Sequence, residues 1–285
     1  MSAHARPVVL EAAGTRLSAL LSEPAGDRPP LATVVALHGG GMTASYFDAR
    51  ARPGLSLLEL GATLGFAVLA VDRPGYGRSA PELPQGVSLS RQTRLLRAGL
   101  ADFAGRHPTG AGMFLLAHSY GGKLALSLAA AAGAGDRLLG LDVSGCGHRY
   151  AALPGAPAAV PSRRDTLRHW GPLRLYPPGT FRAGRGMTTP MPGREAAGLP
   201  RWPRVFARLA PWVRVPVRLT FAEHERWWRH GERDLADLAG RFTASPRVQV
   251  DRQSGAGHNI SLGWAARAYH LRALAFLTEC ITPAG

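Results

Sequence analysis

The run Met113–Gly122 (MFLLAHSYGG) does more than any other stretch to limit the folds open to this chain. Apolar residues of strand length lead into it, the helix-forming run Leu124–Ala132 leaves it, and Ser119 sits on the corner between them. A strand that turns at once into a helix needs small residues on both sides of the bend, and Ala117 and Gly121 stand two before and two after the serine. Such a bend lifts the hydroxyl above a sheet and aims the free N–H groups of the new helix at it. A serine hydroxyl is a weak nucleophile at neutral pH, so a chemical role also requires a base and donors for an oxyanion.

Strand-like and helix-like segments alternate through the rest of the chain. Pro7–Glu11 and Arg16–Glu23 read as paired strands around Gly14-Thr15. Thr33–Leu37 and Phe66–Val71 are continuous apolar runs, the kind buried on both faces of a parallel sheet. Leu55–Leu64 and Ser90–Arg106 read as helices, the second with Ser88 or Ser90 as its cap. Arg137–Val143, Val215–Phe221 and Arg247–Val250 read as strands, and Glu232–Arg241 and Ile260–Glu279 as helices. The order predicts an α/β fold: a mostly parallel eight-stranded sheet with helices on both faces. Residues 145–211 interrupt it with a Pro-, Gly- and Arg-crowded stretch holding helical pieces at Arg163–Trp170 and Trp202–Leu209. So long a stretch outside a regular core reads as a lid or binding element. The expected division is a core of residues 1–144 and 212–285 with residues 145–211 as an inserted helical cap.

Charge tests the nucleic-acid alternative. The formal net charge is +15, and of 34 basic residues Lys123 is the one lysine. No basic helix, zinc finger or aromatic RNA-binding strand accompanies that charge, so it reads as a composition rich in Arg, Ala, Gly and Pro rather than a nucleic-acid surface. It would still attract an acidic or carrier-bound substrate. No apolar run reaches membrane-spanning length, Met1–Pro7 lacks a signal peptide's apolar stretch, and Cys146 and Cys280 form no metal-binding pattern. The expectation is a reduced, cytoplasmic setting without membrane association; oligomeric state is not readable.

Three loops at strand ends hold the chemically useful residues. His38-Gly39-Gly40-Gly41-Met42 follows the third strand, and its glycines bring backbone N–H groups close to a ligand. No Gly-Lys-Ser/Thr follows, which argues against a nucleotide P-loop. Ser254–Asn259 carries His258, whose imidazole can take a serine proton and return it to a leaving group. Phe221–Glu225 supplies a carboxylate to orient that histidine: Glu225, in the turn beyond the strand, or Glu223, which shares its face if the strand continues, with Asp234 further on as a third candidate. His224 and His230 lack the spacing of a zinc helix, so no metal is expected. Asp72 reads as holding its own turn with Arg73 or Arg78, Lys123 as a salt-bridging residue, and Asp142 as a substitute acid if Glu225 faces away.

Taken together, the His-Gly-Gly-Gly loop, the Asp72-x-x-Gly75-x-Gly77-x-Ser79 turn, the Ser119 corner and the Gly257-His258 loop resemble those of α/β-hydrolases over nearly the full length of the chain. The order serine, acid, histidine is also the order of that family. The resemblance implies a Ser119–His258–Glu225 triad, an oxyanion site made by Gly40, Gly41 and Tyr120 N–H groups, and no cofactor. Three positions depart from its pattern: Ala117 replaces the usual first glycine of the corner, glutamate stands where aspartate is commoner, and Ala222 where glycine often stands. An aspartate nucleophile, required in the dehalogenase and epoxide-hydrolase branches, is absent. The activity implied is hydrolysis of a carboxylic ester or thioester of a small-molecule acyl substrate, with a medium or large organic acyl group suited to the aromatic and apolar residues of the cap. A cyclase or lyase on the same scaffold, and a ligand-binding protein with little turnover, are the competing readings. His118, Trp170, Tyr176, Trp202 and Trp228 are the expected substrate contacts, and arginines of the cap (Arg163, Arg164, Arg168, Arg174) could meet an acidic group.

Overall fold

The computed structural model describes residues 5–26, 28–152, 163–183 and 186–281. Its strands are β1 (Arg6–Ala12), β2 (Thr15–Ser22), β3 (Thr33–Leu37), β4 (Ala67–Val71), β5 (Met113–His118), β6 (Leu138–Ser144), β7 (Val217–His224) and β8 (Val248–Gly257). They form one eight-stranded sheet in the order β1-β2-β4-β3-β5-β6-β7-β8. β2 pairs antiparallel with β1 and with β4, and every other neighbour is parallel. Every residue of β3, β4 and β5 is buried, as expected where helices cover both faces.

The helices are α1 (Leu57–Thr63), α2 (Leu89–Arg106) and α3 (Tyr120–Ala131), then α4 (Arg163–Trp170), α5 (Thr180–Ala183), α6 (Gly193–Gly198) and α7 (Trp202–Leu209) between β6 and β7, and finally α8 (Glu232–Gly240) and α9 (Ala266–Ile281). Ser56 and Ser88 begin α1 and α2 by accepting hydrogen bonds from the N–H groups of Glu59 and Arg91. On one face of the sheet Leu95, Phe103, Leu124 and Leu238 pack with Trp202 and Phe206 of α7. On the other, Leu57 and Leu58 pack with Tyr269, Leu274 and Leu277 of α9. Burying each such side chain contributes about 1.5–3 kcal/mol. Residues 153–162 and 184–185, within the segment expected to form a cap, lie outside the described residues, as do the side chains of Arg163 and Arg164.

Two boundaries differ most from those predicted. The last strand extends to Gly257 instead of stopping at Val250. It lies at the sheet edge, where backbone pairing such as Phe221 with Arg252 continues although the side chains are largely polar. The closing helix begins at Ala266, because Gly263 is extended and separates it from a single turn at Ile260–Leu262.

The chain passes from β3 to β4 on one side and returns to β5 on the other. Adjacent loops leave the C-terminal ends of β3 and β5 there, and a crevice at such a reversal is where open α/β sheets hold ligands.

Candidate active site

The corner at Ser119 is a strained backbone. Ser119 has φ 53° and ψ −114°, a left-handed region costly for a residue with a Cβ, and its N–H is tied to Ser144 O at 2.8 Å. A Cβ at Gly121 would stand 2.1 Å from Leu37 O, so only glycine lets α3 start this close to β3. A methyl is accommodated at the other flank, where Ala117 is fully buried.

Two loops from the far end of the chain reach this hydroxyl. His258, 4% exposed, directly follows β8. Ser119 Oγ–H donates to His258 Nε2 (3.1 Å), and His258 Nδ1–H donates to Glu225 Oε2 (2.7 Å). The second oxygen of Glu225 accepts the N–H groups of Arg226 (3.0 Å) and Trp227 (2.8 Å). The chain beyond the acid thus curls back on it, which is how the longer glutamate is held in place. Burial would raise the Glu225 pKa, but the charge and hydrogen bond of His258, with the Trp227 N–H, hold it below the ordinary value.

This geometry separates the two candidate acids. β7 ends at His224 and Glu225 N–H turns back to Ala222 O, so the two glutamates do not share a face. Glu223 is 55% exposed and accepts the Gly255 N–H. Asp142 is no substitute acid, since it is buried against Arg218 and accepts from Tyr269 Oη of α9 (2.8 Å).

A cavity of about 570 Å³ opens above Ser119. Gly40, Tyr120, His118 and Trp228 line it, beside Trp227, and so do Met42, Lys123, Tyr150, His169 and Met191, which sequence reasoning did not select as contacts. Tyr120 N–H belongs to the first turn of α3, where helical N–H groups have no partner within the helix. Gly41 N–H points elsewhere and donates to Tyr76 Oη (3.1 Å). His118 is also a packing residue: it stacks on Tyr46 at 4.8 Å between ring centroids, and burial, with His258 nearby, holds its pKa well below the usual imidazole value. Trp170, Tyr176 and Trp202 do not line the cavity. Tyr176 Oη donates to Trp170 O (2.8 Å) and Trp202 Nε1 to Gly147 O (2.8 Å), so these rings brace the surrounding segment. Arg168 lies over the Trp227 ring at 5.0 Å.

The loop that carries Gly40 is held by a network absent from the sequence reading. Arg73 does not pair with Asp72, which accepts instead from Ser18 Oγ and Ala44 N–H (both 2.7 Å). Arg73 donates to His38 O (2.8 Å) and Gly39 O (3.1 Å), to Gln92 Oε1 (3.0 Å), and to both oxygens of Glu195 in α6 (2.8 and 2.9 Å). All five guanidinium N–H groups are used in a buried site, and Tyr76 Oη–H adds a bond to Glu195 (2.7 Å). Among the described residues no cluster of His, Cys, Asp or Glu could hold a metal ion, and no helix is long and apolar enough to cross a membrane.

Comparison with known proteins agrees with this architecture. The sequence profile of the alpha/beta hydrolase family matches residues 34–270. No curated protein matches the sequence. Among solved structures, a thermophilic esterase from Thermogutta terrifontis is 20% identical, with 97% of this chain and 100% of that one covered and a TM-score of 0.63. A highly thermostable carboxyl esterase from Bacillus coagulans is 16% identical over 99% and 100% of the two chains, at 0.67. The N-acyl homoserine lactonase AidH is 15% identical over 99% of each chain, at 0.68.

Proposed function

Because the chain belongs to the alpha/beta hydrolase family, we propose that it is a serine hydrolase cleaving a carboxylic ester or thioester through an acyl-Ser119 intermediate. The observation that carries this reading is the continuous hydrogen-bond relay from Ser119 Oγ through His258 to Glu225.

In the proposed cycle Ser119 Oγ attacks the acyl carbonyl as its proton passes to His258 Nε2. The resulting oxyanion is stabilised by Tyr120 N–H and by Gly40 N–H on the opposite loop, donors of the kind worth about 2.7–4 kcal/mol each. Collapse breaks the bond to the leaving oxygen or sulfur, which takes the proton back from His258. Water then gives a proton to His258 and attacks the acyl-serine, releasing the acid and restoring Ser119. Glu225 keeps the imidazole oriented and stabilises its positive form. The segment between β6 and β7 acts as the cap, bringing His169, Met191 and Leu199 to the cavity wall. Its apolar character suits an organic acyl group.

The test is hydrolysis of p-nitrophenyl valerate together with fluorophosphonate labelling. Ser119→Ala should lower kcat by on the order of 10⁴-fold or more and remove the label. Glu225→Gln should cost roughly 10²- to 10⁴-fold, whereas Glu223→Gln should stay within about threefold. Turnover surviving in Ser119→Ala, or an adduct mapped elsewhere, would sink the proposal.

A further inference from the structure

Lys123 lies in the first turn of α3, four residues beyond Ser119, and lines the same cavity. It is 4% exposed, and among the described residues its Nζ makes one hydrogen bond, to Tyr150 Oη (2.8 Å), which donates in turn to Leu199 O (2.9 Å). An ammonium has three donors. Among the described residues it has no ion pair. Glu195 is occupied by Arg73, and burial pushes the neighbouring Cys146 thiol up to about 12, so that it stays uncharged at neutral pH. The rings of Tyr120, Tyr150, Trp202 and Trp228 surround the ammonium with centroids 5.3–5.5 Å away. Cation–π attraction offsets part of the cost of burial but supplies no counter-charge.

A second observation gives the charge a ligand-sized approach. Tyr120 and Lys123 also line a separate, solvent-open cavity of about 960 Å³, whose wall includes Arg194 and Arg201. Both arginines are exposed, and neither is in an ion pair among the described residues. Lys123 therefore stands at the junction between the reactive serine and a basic vestibule.

Resting on the hydrolase reading above, we propose that Lys123 is a specificity residue: it pairs with a carboxylate carried by the substrate a few methylenes from the scissile carbonyl. A helical separation of four residues, about 6 Å, sets that spacing. The aromatic walls hold the methylenes, the two spare N–H donors bind the carboxylate, and Arg194 and Arg201 draw the anion inward. The substrate class is accordingly the monoester or monothioester of a short dicarboxylic acid.

The experiment compares the p-nitrophenyl monoester of glutaric acid with p-nitrophenyl valerate and, separately, measures glutarate binding by calorimetry. The wild type should favour the acidic ester in kcat/KM. Lys123→Met should lower the acidic-to-neutral ratio by about tenfold to a hundredfold, the range of a charged hydrogen bond, and should abolish detectable glutarate binding. Arg201→Ala, a surface change that spares the fold, should lower the ratio roughly two- to fivefold. An unchanged ratio in Lys123→Met, equal glutarate binding by both proteins, or no binding by either would overturn the inference while leaving the hydrolase reading intact if the esters turn over. Glutarate binding that depends on Lys123 without ester turnover would sustain the inference and reject the hydrolase reading.

Discussion

Two buried cations flank one aromatic ring, and they are treated in opposite ways. Arg73 Cζ lies 4.7 Å from the centre of the Tyr120 ring, and Lys123 Nζ lies 5.3 Å from the same centre. Arg73 is saturated: five donors meet five acceptors, two of them the oxygens of one carboxylate. Among the described residues Lys123 has one acceptor and four rings. A charge removed from water must recover its solvation from somewhere. Arg73 does so within the fold and fixes the loop before Gly40. Lys123 does so only in part, which is the condition of a group that awaits a partner. The contrast teaches that burial alone does not separate a structural charge from a functional one; the count of satisfied donors does.

The largest test of that contrast is Glu195→Ala. It should cost about 3–5 kcal/mol in urea unfolding, since it strands Arg73 without its counter-ion. The double variant Arg73→Met/Glu195→Leu should be clearly less destabilised than the single one, because no orphaned charge remains. A double variant as unstable as the single would show that the network's worth lies in its shape instead of its charge balance.

Lys123→Met should do the reverse, stabilising the ligand-free protein at pH 7 by about 1–2 kcal/mol. Burial lowers the Lys123 pKa from 10.5 to about 8. Between those values the unfolded chain binds more protons than the native one, so wild-type stability from this group rises with pH. The groups around Nζ do not mask the effect: Cys146, Tyr120 and Tyr150 are all raised by burial, and Glu195 is neutralised by Arg73. The gap between variant and wild type should therefore narrow from pH 8 to pH 10.5, as thermal unfolding across that range would record. A gap that is constant or widens would contradict an uncompensated ammonium.

The same distinction explains what was legible in the sequence. Ser119 and His258 could be read because each sits in a short local pattern of small residues, and Glu225 because it stands just past a strand. Sheet content followed from continuous apolar runs. Glu195 and Arg73 could not be paired, because they are 122 residues apart, Glu195 lies in no recognisable motif, and Arg73 fills a variable position of its turn. Lys123 was visible as the one lysine among 34 basic residues, but its meaning depends on rings contributed by α7 and by the segment after β7. Trp170, Tyr176 and Trp202, assigned to the cavity above Ser119 from the segment between β6 and β7, were misplaced for a related reason. Aromatic content marks a region as apolar without saying which side of it a ring faces: Trp170 and Tyr176 brace that segment from outside the cavity, and Trp202 faces the basic vestibule instead.

The grip on Glu225 has a practical corollary. The peptide that supplies the Arg226 and Trp227 amides to its carboxylate also carries Trp227 and Trp228 into the cavity wall. Anyone redesigning the substrate range from that edge will move the proton relay as well. The side chains of Met191 and Leu199, which touch no member of the relay's hydrogen bonds, are where shape can be changed while reactivity is kept, provided Glu195 between them still holds Arg73.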